Sequence, residues 1–113
     1  MNSDRTPETS RLDQLRGMLQ YEPGDVFLLY AIMLELKKAG ESEAAIDDGA
    51  LLLRLHPDHA PTHYQLALLC HDLGRNEEAI DHCMRGRALA VQENDVKATN
   101  EFRELEQLLR EGE

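Results

Sequence analysis

The chain contains no tryptophan, and only three tyrosines and two phenylalanines stand among its 113 residues. Its two cysteines, Cys70 and Cys83, are too few for the disulfide framework of a small secreted domain, so a reducing, cytoplasmic setting is expected. Long apolar runs are absent. The longest, Val26 to Leu34, ends at Glu35, well short of the roughly 20 residues that a membrane-crossing helix requires. Met1 to Ser10 is polar and offers no apolar core of a secretion signal. Basic side chains are scarce, 12 against 22 acidic, for a formal charge of -10. Such a surface repels phosphate backbones and anionic headgroups, so neither nucleic acid nor membrane is expected as a partner. Catalytic signatures are missing as well. No Gly-rich phosphate loop and no Gly-x-Ser-x-Gly turn occurs, so the chain is not expected to be an enzyme or to carry a cofactor.

What is present is a repeat. Acidic composition alone would suit a disordered chain, but 42% hydrophobic residues argue for a folded one. Pro23 and Pro57 are 34 residues apart, as are Tyr30 and Tyr64, Leu34 and Leu68, and Gly40 and Gly74. The run Ala45-Ile46-Asp47 recurs at the same offset as Ala79-Ile80-Asp81, and Leu12-Asp13 stands one period earlier. A glycine, a proline and a three-residue run agreeing on one period are not readily supplied by chance.

Each period reads as two helices. The first spans Gly24 to Ala39, with Asp25 as N-cap and Gly40 as the break. The second opens with acids at Glu41-Ser42-Glu43, near its positive end, and is stopped by Pro57. In the next period Pro61 sits in a first turn, Gly74 breaks, and Asn76 is expected to cap a helix running to about Gln92. The flanks supply two more helices. Thr6-Pro7-Glu8 reads as an N-cap followed by proline, leading into a stripe of Leu12, Leu15, Met18 and Leu19. Asp95 is expected to cap a last helix whose Phe102, Leu105, Leu108 and Leu109 share a face. The expected layout is an all-α chain of about six antiparallel helices: a flexible N-terminus at 1–7, a half-repeat helix at 8–22, repeats at 24–57 and 58–93, and a capping helix at 95–111.

This pattern resembles the tetratricopeptide repeat, a 34-residue helix-turn-helix unit. Residues 24 to 93 carry the resemblance, and residues 8 to 23 carry its second half. The family's Leu site holds Ile32 and Leu66, the adjacent small site Met33 and Ala67, the Ala site of the second helix Ala45 and Ala79, and the closing Pro site Pro23 and Pro57. Departures are a Trp site holding Leu29 and His63, a Tyr site holding Leu36 and Cys70, and a large aromatic site holding Gly49 and Cys83; Val91 replaces the last Pro. Met33 and Gly49 read as a volume exchange, large for small against small for large. The resemblance implies a right-handed solenoid, a small acidic adaptor-type protein, and a concave groove lined by the first helix of each repeat that holds a peptide or helix of a protein partner.

Leu29, Ile32, Met33 and Leu36 form the stripe that packs inside the first repeat. Phe27, Tyr30, Leu34 and Lys37 lie on another face, and Tyr64, Gln65, Leu68 and His71 occupy matching or adjacent sites in the second repeat. These eight are the candidate groove residues. Two readings stand side by side: a partner segment covers them, or neighbouring helices do, including the C-terminal helix folding back. A self-associating unit, a homodimer through the same face, is the competing function. Some relatives grip a C-terminal carboxylate with Lys, Asn and Arg. The matching positions Tyr30, Leu34, Pro61 and Gln65 lack those donors, so an apolar or apolar-and-basic segment is the expected occupant.

A metal site is the weakest reading. His59 and His63 are four apart, with His56, His71, His82 and both cysteines in the same region. Pro61 intervenes, and no ligand-spacing motif supports them, so no metal is expected. The cysteines read as small buried hydrophobes, and Asp47-Asp48 and Asp81-His82 as pairs on solvated helix faces.

Overall fold

The computed structural model describes residues 7–112, with side chains from Arg11 onward. The expected flexible N-terminus, apart from Pro7, and the Thr6 cap lie outside the described residues. Six helices and no strand occur among the described residues: α1 Pro7–Leu19, α2 Val26–Lys38, α3 Ser42–Leu55, α4 Ala60–Asp72, α5 Asn76–Gln92 and α6 Val96–Glu111. They fall into two compact units, one ending at Leu55 with α1–α3, the other beginning at His56 with α4–α6.

In the first unit α2 packs against both α1 and α3. It starts where Asp25 accepts a hydrogen bond from the Leu28 amide at 3.0 Å, satisfying a donor the helix itself cannot. It stops at Gly40, whose φ of +81° turns the chain so that Glu41 N–H reaches the Leu36 carbonyl at 2.9 Å. Leu29, Ile32, Met33 and Leu36 are all buried, as the repeat pattern predicts. Leu15 of α1 and Ala45, Gly49 and Leu52 of α3 are buried with them, so among the described residues this interior is apolar. The rim carries the charge. Arg11 bonds Glu35 at 3.1 Å, joining α1 to α2. Burial raises the Asp48 carboxyl pKa, with Arg16 pulling it back down and Asp47 pushing it further up.

In the second unit α5 packs on α4 and α6 packs on α5. Gly74, at φ +76°, repeats the Gly40 turn, with Arg75 N–H donating to the Cys70 carbonyl at 2.8 Å. The same turn closes α5, with Asn94 at φ +58° and Asp95 N–H on the Ala90 carbonyl. Asparagine is one of the few side-chain-bearing residues that tolerates this conformation. Asp95 then caps α6, accepting from the Ala98 amide at 3.0 Å. Leu66, Ala67, Leu69, Cys70, Ala79, Ile80, Cys83, Ala90, Phe102, Leu105 and Leu109 are buried. Gly86 lets α6 approach closely, because a Cβ there would run into the Phe102 ring.

Several local expectations are corrected. Asn76 is the first helical residue of α5 and not its cap; Arg75 holds the cap position, and its side chain does not cap the helix amides. Asn76 Oδ1 instead accepts from His71 Nδ1 at 2.8 Å, and Asn76 Nδ2 donates to the Leu109 carbonyl at 3.4 Å. Met18 and Leu108 leave their stripes: both are exposed, since each points away from the helix its neighbours pack on. His82 is not on a solvated face but half-buried and paired with His63.

Candidate functional site

On α2 of the first unit, Tyr30, Leu34 and Lys37 are half-buried, in register along one side of the helix. Phe27, at the start of that stripe, is 82% exposed. It lines an open depression of about 390 Å³ together with Met18, Tyr21, Glu22, Asp25 and Leu28. A second depression of about 500 Å³ shares Met18 and Tyr21 with it and adds Gln14, Gly17 and Gln20. Tyr21 and Met18 were missed as surface residues by pattern reading. The available signal was an aromatic at Tyr21 inside a polar turn before Pro23, where no helix face exists to bury it.

The corresponding side of α4 in the second unit is organised differently. Tyr64 is half-buried and meets Phe102 of α6 edge-to-face, ring centroids 5.4 Å apart at 68°. Burial raises the Tyr64 hydroxyl pKa, and Glu101, Cys83 and Glu104 push the same way. His71 is exposed and bonded to Asn76 at 2.8 Å, while Gln65 and Leu68 are half-buried. Within this unit, then, the last helix covers part of the face that the sequence offers as groove.

Polar chemistry in the second unit concentrates in its interior. His63 occupies the position where the repeat pattern has its tryptophan, and only 3% of it is exposed. Its Nδ1 lies 2.9 Å from His82 Nδ1, so one ring donates and the other accepts. Burial, then the neighbouring His82 and Arg85, lower the His63 pKa to about 4. Burial also lowers that of His82, with Asp81 opposing. A polar side chain at a large apolar site needs a partner on the facing helix, and that requirement was the signal for His82. His59 points elsewhere, its Nδ1 2.8 Å from Thr62 Oγ1. Among the described residues, no three His, Cys, Asp or Glu side chains converge as metal ligands would. Cys70 and Cys83 are buried and free, and burial pushes the Cys83 thiol up to about 11, far from the reactive thiolate range.

A further depression, about 340 Å³, lies along α5 and α6 between Arg87, Arg103, Glu106, Gln107, Arg110 and Glu111. Its charges are largely compensated. Arg110 bonds Glu106 at 2.9 Å, and Arg87 approaches the other oxygen of that carboxylate at 3.1 Å. No described helix is long and apolar enough to cross a membrane.

No family model matches the chain, and no curated protein matches it. Solved structures do. A tetratricopeptide repeat domain protein from Salinibacter ruber, in its solution structure, is 28% identical, with a TM-score of 0.77 over 80% of this chain and 92% of that one. The crystal structure of a tetratricopeptide repeat domain protein from the same organism gives 0.74 at 28% identity, covering 79% of this chain and all of that one. The MamA protein gives 0.70 at 16% identity over 92% of this chain and 59% of that one, a likeness of fold alone. The 34-residue register, the paired glycine turns and these likenesses together give the chain the fold of a small tetratricopeptide-repeat protein.

Proposed function

We propose that the chain is an adaptor-type protein-binding module that holds an apolar segment of a partner along α2 of its first unit. Tyr30, Leu34 and Lys37 form the contacting stripe, and Phe27 stands at its start. The observation that carries this reading is an apolar stripe set apart from the buried Leu29–Ile32–Met33–Leu36 set and ending in a phenylalanine 82% exposed. An aromatic left in water at the end of such a stripe is a strong anchor once a partner desolvates it. Lys37 adds a cation near the C-terminal end of α2. The fold supports the general class, since this repeat serves protein interaction. The α4 residues contribute less in this reading, because the Phe102 ring of α6 lies against Tyr64 and covers part of their face.

The test is selection of peptides from a displayed library on the whole chain, followed by affinity measurement on Tyr30→Ala/Leu34→Ala. Selected peptides should lose about tenfold or more in affinity on the double variant while its helical circular dichroism is retained. Unchanged affinity would remove the α2 stripe from the site. Light scattering across a wide concentration range separates the competing homodimer: a dimer dissociated by the same variant would assign this face to self-association.

A further inference from the structure

Three side chains that a folded protein would ordinarily cover come together at the α1–α2 turn. Met18 is 54% exposed, Tyr21 88% and Phe27 82%. The chain has five phenylalanine and tyrosine rings in all, and the two most exposed both line the same 390 Å³ depression. The adjoining 500 Å³ depression shares Met18 and Tyr21, so the two hollows meet around one tyrosine. Exposed apolar side chains scattered singly carry no message, but a cluster around a concavity marks an interaction surface.

The charges around it specify the occupant. Apart from the tyrosine hydroxyl, the ionisable groups lining the two hollows are Glu22 and Asp25, both acidic. The basic residues of α1 are directed elsewhere: Arg11 bonds Glu35 on α2, and Arg16 acts on Asp48 of α3. Gln14 and Gln20 add neutral donors and acceptors at the edge. A second copy of this chain would bring another formal charge of -10 to an already acidic rim. We infer that the turn-edge hollow around Met18, Tyr21 and Phe27 is a docking site for a partner segment with apolar side chains flanked by Lys or Arg. It shares only Phe27 with the α2 stripe proposed above, and the two surfaces can be separated through Met18, Tyr21 and Glu22.

The test uses two synthetic amphipathic helices, one of leucine and lysine, the other of leucine and glutamate, titrated into the whole ¹⁵N-labelled chain. The Leu/Lys probe should shift the amide signals of Met18, Tyr21, Glu22 and Phe27 first, and the Leu/Glu probe should shift none of them. Tyr21→Ser/Phe27→Ser should weaken the Leu/Lys probe by about tenfold, and Glu22→Lys by several-fold with a smaller salt dependence. Both substituted rings are exposed, so the variant is expected to keep the fold, which its amide spectrum reports. Shifts centred on Tyr30, Leu34 and Lys37 with Tyr21 unmoved would overturn the turn-edge site while leaving the α2 stripe in place. Weak shifts spread over acidic residues of both units would mean general charge attraction and would also overturn it. A concentration-dependent dimer lost in Tyr21→Ser/Phe27→Ser would make a second copy the occupant and refute the basic-segment assignment.

Discussion

Tyr30 and Tyr64 stand 34 residues apart on α2 and α4, the first helices of the two repeats, and their surroundings differ. Tyr64 is met by Phe102, a ring brought in by α6 of its own unit. The stripe containing Tyr30 instead runs out to Phe27 and its solvent-facing hollow. The interiors differ too. Among the described residues the first unit buries only apolar side chains and a glycine, whereas the second buries Thr62 and His63 and joins His63 to His82. One repeat pattern therefore yields one unit whose face is partly closed by its own capping helix and another that presents aromatics to solvent. Helix ends follow the shared register; what a face does depends on the neighbour the register does not specify.

That contrast can be broken most strongly at Phe102. Phe102→Ala should cost about 3–5 kcal/mol in denaturant unfolding, the sum of lost burial and an unfilled space against α5. In the surviving folded fraction Tyr64 should titrate closer to an ordinary tyrosine, read by ultraviolet absorbance. Gly86→Ala attacks the same contact from the other side. A methyl there meets the Phe102 ring, so about 1–3 kcal/mol should be lost, partly restored by adding Phe102→Leu.

The histidine pair sharpens the comparison by pH. The folded state holds His63 near 4 against 6.5 for the free side chain, so between those values the unfolded chain binds more protons. Stability should therefore fall as pH drops from about 6.5 toward about 4, on the order of 2 kcal/mol from this pair. His63→Leu/His82→Leu should flatten that part of the profile in unfolding experiments at stepped pH. Asp48 in the first unit works in the opposite sense. Its raised pKa favours the folded state as it protonates, so Asp48→Asn should steepen the acid loss slightly. The smallest expected effect is Tyr21→Ser/Phe27→Ser, whose thermal midpoint should correspond to a change within about 0.5 kcal/mol, because both rings are already in water.

The six helices and their ends were largely legible in the sequence, for a physical reason. Gly40 and Gly74 are needed where φ is positive and stand 34 residues apart, while Asp25 and Asp95 are acids just ahead of a helical stripe that bond the amides three residues on. The buried set of α2 was equally legible from its 3.6-residue period. Reading failed where a side chain's partner comes from another helix. Nothing local tells that Asn76 bonds His71 and Leu109 instead of capping, that His82 turns inward to His63, or that Phe102 reaches Tyr64. The same limit applied to the candidate site. Phe27 was visible on the α2 stripe, but its association with Met18 and Tyr21 depends on how the α1–α2 turn folds.

The chain's three tyrosines offer the most direct test of the contrast between the two faces. Fluorine NMR of the whole chain labelled with 3-fluorotyrosine gives one signal for each, assigned by single Tyr→Phe variants. During titration with a peptide selected on the wild-type chain, the Tyr21 and Tyr30 signals should move and Tyr64 should stay, held by Phe102. Movement of Tyr64 with Tyr21 and Tyr30 stationary would contradict the account and place the docking surface on the second unit.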